Sequence, residues 1–207
     1  MHSPFEAHAL SRSLSTPTDP VVQYRQETLD ENGPPLRIYV NRMKEEFTAD
    51  VLSIYKKANP CFRSNLRVKF ENERAVGEGP VREFFSLLMR FIQNGLYLDD
   101  PAQLVMFFES ETDHKIPVPN ALLCKAGLYT SVGRMIAHSF LHGGPPIYGL
   151  SPAVLEYWTH DSISEAVTIE DIPDYDLRQA LKQVYVVLLL FCTDIIYIFL
   201  CNVSSRC

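Results

Sequence analysis

The stretch GEGPVREFFSLLMRF, Gly77 to Phe91, sets two glycines and a proline directly before an Arg-Glu pair and two adjacent phenylalanines. Pro80 has a fixed φ and no amide proton, which suits a first helical turn, and Gly77 and Gly79 permit a sharp turn ahead of it. From Val81 the apolar residues recur at 81, 84, 85, 88 and 92, widened by Leu87 and Phe91, while Arg82, Glu83, Ser86, Arg90 and Gln93 take the other side. The spacing predicts a helix stopped by Gly95, with Phe84 and Phe85 in the core.

Upstream, Leu66, Val68 and Phe70 alternate with Arg67 and Lys69, the period of a half-buried strand. Before that, from Leu36, the residues Val40, Met43, Phe47, Val51, Ile54 and Tyr55 fit one helical face, and a helix of about five turns is expected up to Asn59-Pro60. Residues 1–35 contain SRSLSTPTDP and NGPP and are read as a disordered Ser/Thr/Pro-rich linker with little to bury. Downstream, residues 104–108 and 115–119 read as short extended pieces, the second held to an edge by its prolines. LYTSVGRMIAHSFLHGGPP reads as a helix with Leu128, Tyr129, Val132, Met135, Ile136, Phe140 and Leu141 inward. Ser151-Pro152 then caps and starts a short helix through Trp158. The fold class is α+β, mostly α-helical.

With 207 residues, 46% of them hydrophobic, the chain can bury a real core as one domain with tails. A formal charge of -6 with no lysine-arginine cluster in the sequence argues against a nucleic-acid surface. Five cysteines, at 61, 124, 192, 201 and 207, form no CxxC pair, so reduced thiols in the cytoplasm or nucleus are expected rather than a disulfide framework or a zinc site. MHSPFEAHAL lacks the charged and apolar regions of a secretory signal.

Candidates for chemistry are few. His138 and His142 stand at i, i+4, but the HExxH glutamate and a third ligand are missing, so they read as helix-surface histidines. Glu170, Asp171, Asp174 and Asp176 lack the glycine and closing glutamate of a calcium loop and read as a solvated turn. Gly77-x-Gly79 lacks both the third glycine of a dinucleotide site and a GK[ST] ending. No Ser-His-Asp or Cys-His set stands out, and no catalytic, cofactor-binding or metal residue is assigned.

In order and in residues, these elements resemble the N-terminal lobe of a HECT-type ubiquitin ligase domain. LRVKFENE is similar to the family's V-x-F-x-x-E segment, and GPVREFF to its Gly-Gly-x-x-Arg-Glu-Phe-Phe helix start. KIPVPN resembles the strand before an Asn-Pro turn, and YTSVGRMIAHSFLHGG the helix written Y-x-x-x-G-R-x-x-G-x-A-x-x-x-G. The resemblance covers about residues 36–183, and within the family it is to the vertebrate subgroup of G2/M-phase-specific ligases. The chain departs from the pattern at Gly77, where the family has an aspartate, in a loop one residue shorter, and at Ala137-His138, where the family has small residues.

The resemblance implies ubiquitin transfer through a cysteine thioester, with a conjugating enzyme and protein substrates as partners. The family's cysteine follows a threonine in a Thr-Cys-Phe run that this sequence does not contain, so the expectation is an incomplete domain, inactive alone. A non-catalytic interaction module or decoy is the alternative.

At Val184 the register ends in VYVVLLLFCTDIIYIFLC, nearly all apolar, so that residues 184–207 read as an apolar tail. A buried terminal helix, a membrane tail anchor at 184–201, and unrelated sequence attached where a longer ligase is cut all fit. The abrupt loss of pattern favours the third.

Overall fold

Leu36, Ile38 and Val40 alternate with Arg37 and Tyr39, and these five residues form a strand, β1 (Leu36–Val40), rather than the first turns of the expected helix. The structure, a computed structural model, describes residues 19–57, 61–97, 104–161 and 166–186. Ahead of β1, part of the stretch read as a disordered linker is helical: α1 (Pro20–Thr28) starts on Pro20, with the Asp19 carboxylate accepting from the Val21 amide at 2.8 Å. It buries none of its own residues. The expected long helix is therefore the shorter α2 (Lys44–Tyr55). The break lies at Asn41 to Met43, where the Asn41 amide donates to Asp50 at 2.9 Å and the Met43 amide to the Asn41 side chain at 3.0 Å. Met43, assigned inward by helical periodicity, is 67% exposed.

The expected strand at LRVKF is β2 (Leu66–Phe70), which pairs with β1 in parallel, Leu36 opposite Leu66 and Val40 opposite Phe70. A parallel pair needs a crossover, and α2 supplies it. The inner face of this two-stranded sheet carries Ile38, Val40, Val68 and Phe70, all buried. The helix predicted from Gly77 onward is α3 (Glu78–Asn94), which packs on β2 and buries Phe84, Phe85, Leu88, Met89, Phe91 and Ile92, with the Phe84 ring edge-on to Phe47 of α2. The large rings fall in the core as the sequence requires.

The extended pieces expected at 104–108 and 115–119 hold three two-residue strands, and a fourth, β3 (Leu96–Tyr97), was not expected: β3 pairs antiparallel with β4 (Leu104–Val105), and β5 (Phe108–Glu109) with β6 (Ile116–Pro117). Asn120 then caps α4 (Ala121–Lys125) by accepting from the Leu122 and Leu123 amides, and α5 (Leu128–Leu141) follows. The inward face of α5 is Leu128, Ser131, Val132, Met135, His138 and Ser139, so Phe140, expected inside, is 41% exposed. There it meets α1: Arg25 donates to the Phe140 carbonyl at 2.7 Å and lies over its ring.

Ser151 accepts from the Ala153 amide and caps α6 (Pro152–His160), as its Ser-Pro signature predicts. A 3-10 turn, Ile169–Asp171, and α7 at residues 175–186 complete the described chain. Most of the apolar tail at 184–201 lies outside the described residues, and Val184, Tyr185 and Val186 are exposed on α7. No helix among the described residues is long and apolar enough to cross a membrane.

Candidate functional site

The turn from β2 into α3 is built around Gly77, whose φ of 94° and ψ of -150° suit glycine alone. The Arg-Glu pair that follows divides its work. Glu83 joins Glu73 in gripping Arg42, which lies over the Phe70 ring at 4.3 Å, while Arg82 pairs along the helix surface with Glu78 at 3.0 Å. Glycine, glutamate and phenylalanines here are architecture.

His138 corrects the surface-histidine reading. It is 1% exposed and is enclosed by the rings of Phe62, Phe85, Tyr55 and His142. Its Nδ1 lies 2.7 Å from the Tyr55 hydroxyl. That hydroxyl has no other acceptor among the described residues, so it donates to Nδ1 and leaves the proton of the neutral imidazole on Nε2. The opposite assignment would orphan the tyrosine proton as well. Burial, and then the neighbouring His142, lower the pKa of His138 to about 3, while burial raises that of Tyr55 well above its usual value. His142 donates through Nε2 to the Phe62 carbonyl at 3.0 Å, and burial lowers its pKa too. The pair meets edge to face at 4.8 Å between centroids and packs as apolar rings. Among the described residues no group of three or more His, Cys, Asp and Glu is placed to hold a metal ion.

The solvated-turn reading of the acidic run is corrected at Asp171, which is buried. Its carboxylate accepts from the Thr168 amide at 2.7 Å and faces His114 Nδ1 at 3.0 Å. Burial alone would raise its pKa, but hydrogen bonds from Ser151, Thr168 and His114 hold it below the usual value. Serine, aspartate and histidine thus come together, wired with the carboxylate in the middle. Catalysis needs the histidine in the middle to take the serine proton. Ser151 is fully buried and its oxygen caps α6, so the group is a clip joining β6, α6 and the 3-10 turn. Asp174 caps α7 through the Leu177 amide.

An accessible groove of about 940 Å³ lies between β2 and the start of α3. Arg37, Tyr39, Arg67 and Lys69 line it from the outer face of the sheet, and Val76, Val81 and Arg82 from the opposite wall. Arg37, Arg67 and Lys69 form no ion pair among the described residues. No cluster is visible in the linear sequence because the three cations come from two strands, 30 residues apart, brought into register. The signal for it in the sequence is the alternation of residues 36–40, which competes there with a helical period. Cys61 and Cys124 are exposed free thiols, and Cys192, Cys201 and Cys207 lie outside the described residues.

No family model matches the chain. The chain is 24% identical over 152 residues to the G2/M phase-specific E3 ubiquitin-protein ligase of Macaca fascicularis, and 24% identical over 150 residues to the Homo sapiens protein of the same name. Both matches cover 72% of this chain and 20% of the relative. Over most of its own length, then, the chain is similar to one part of a ubiquitin-protein ligase.

Proposed function

We propose that residues 36–183 form the N-terminal-lobe portion of a HECT-type ubiquitin ligase domain and serve as its scaffold in ubiquitin transfer. The observation that carries this reading is the similarity to the ligase over 72% of the chain. The segments that resemble the HECT pattern are also the ones that build the core, through Phe84, Phe85 and the inward face of α5. None of the five cysteines follows a threonine, and none is assigned as the thioester nucleophile. A conjugating enzyme and substrate proteins are the partners this reading assigns.

The test is a domain exchange. Residues 36–183 replace the equivalent segment of a HECT-type ligase whose thioester is measurable, and the chimera is incubated with activating enzyme, conjugating enzyme and ubiquitin. The chimera is expected to form a DTT-sensitive adduct on the host's cysteine, and the 207-residue chain alone to form none. A folded chimera without the adduct overturns the scaffold reading. An adduct on the isolated chain that is lost on Cys61→Ala or Cys124→Ala overturns the assignment of no nucleophile.

A further inference from the structure

We propose that the free edge of β2 is a docking site for an extended acidic segment of a protein partner, added to the sheet as a third strand. This does not rest on the ubiquitin-ligase reading.

The parity of the ladder turns the backbone groups of Leu66 and Val68 away from β1 and toward the groove. The Leu36 amide donates to the Asn65 carbonyl at 2.8 Å and the Glu71 amide to the Val40 carbonyl at 3.0 Å. In a parallel pair this assigns the amides and carbonyls of Asn65, Arg67, Lys69 and Glu71 to β1, and those of Leu66 and Val68 to the far edge. No described strand pairs there, and the Leu66 and Val68 backbone groups have no hydrogen-bond partner among the described residues. Both residues line the groove. Its volume, about 940 Å³, accommodates a short extended peptide alongside five-residue β2, which at ~3.3 Å per residue is about 17 Å long.

The chemistry of the occupant follows from the two faces it would present. On the outer face its side chains lie beside Arg67 and Lys69, with Arg37 one strand further, and cross-strand pairing favours carboxylates opposite these unpaired cations. Across the groove they meet the opposite wall, with Val76, which is 80% exposed, and Val81. Alternating acidic and aliphatic residues satisfy both faces. Main-chain hydrogen bonds would supply affinity and the alternate side chains specificity, as in strand addition generally. A nucleic acid would use the cations but neither the unpaired backbone groups nor the valines, and it would meet the net charge of -6.

The test uses the full chain and a fluorescent nonapeptide of alternating Glu and Val. Saturable binding is expected, with hydrogen exchange slowed at the Leu66 and Val68 amides. A backbone N-methylated copy of the peptide keeps the charge and loses the donors, and it is expected to bind at least about tenfold more weakly. A loss of similar size is expected with Arg67→Glu/Lys69→Glu, whose exposed, unpaired side chains can change without disturbing the core. Three results overturn the proposal: no binding, which makes Arg67 and Lys69 guards against edge pairing; equal binding of the N-methylated peptide; or equal binding of an oligouridylate of matched charge.

Discussion

Arg134, midway along α5, donates to the main-chain carbonyl of Tyr55 at 3.0 Å and so closes the C-terminal end of α2 from 79 residues away. The same nitrogen reaches the Lys57 carbonyl at 3.1 Å. A cation on the orphan carbonyls of a helix end satisfies both their hydrogen bonding and the local dipole. Arg134→Ala is expected to lower unfolding free energy by about 2 kcal/mol, and Arg134→Lys by less, since an ammonium reproduces the charge but not the fork. Urea melts decide it; an alanine variant as stable as the parent rejects the capping role.

The buried imidazole gives a pH dependence with a definite sign. Below pH ~6.5 the unfolded chain takes up a proton at His138 that the folded chain refuses until about pH 3. Stability contributed by this residue is whole above that range and falls with pH through it, by up to about 1.4 kcal/mol per unit. His142, also lowered by burial, acts in the same direction. In a Tyr55→Phe background, so that no hydroxyl is orphaned, His138→Phe is expected to flatten the dependence between pH 7.5 and 4.5. An unchanged slope in denaturant titrations would assign it to other groups.

Phe85 touches Phe84, His138 and His142, with ring centroids at 5.3, 5.1 and 6.0 Å. A Cβ at Gly144 would stand 2.8 Å from the Cβ of Phe85, so the turn after α5 is pressed against this ring. Phe85→Ala is expected to cost roughly 3–5 kcal/mol, and Phe84→Ala as much, enough to unfold a marginal domain. Thermal melts of either variant within a degree of the parent reject the core assignment.

The two glycines before Pro80 separate in their predicted effects. Beyond its own chain neighbours and helix backbone, a Cβ at either meets no atom within 4 Å, so neither substitution clashes with a packed element. Gly77→Ala must nonetheless place a side chain at φ 94°, at a cost of about 1–3 kcal/mol. Gly79 is helical but stands directly before Pro80, whose ring crowds a helical residue that carries a Cβ, so the usual glycine-to-alanine gain is offset and Gly79→Ala is expected to be close to neutral. Equal effects in chemical denaturation would remove the special role of Gly77.

Local signals were legible where one physical rule governed the segment. Pro80 after Gly77, Ser151 before Pro152, and the apolar spacing of α3 each announce their own element. Between Leu36 and Val51 two periods compete: Val40, Met43, Phe47 and Val51 also fit a helix, and pairing with a strand 30 residues on decides for β1. The mostly helical α+β class was readable, but the basic groove was not, because it depends on that pairing. His138 was misplaced for a related reason. Imidazole is polar on any hydropathy scale, and only the Tyr55 hydroxyl and the surrounding rings make it a core residue. Asp171, hidden by the hydrogen bonds of Thr168 and His114, is the same case with a carboxylate.

The seam between α2 and α5 also fixes an order of events during synthesis. Tyr55 waits for His138 across 83 residues and Phe62 for His142 across 80, which at about 5–20 residues per second leaves the Tyr55 end of α2 without its cover for roughly 4–17 s. Ribosome-bound chains that stop short of His138 are therefore expected to bind chaperones and to be cut readily within residues 44–57. Once α5 has emerged, that sensitivity is expected to disappear in a single step.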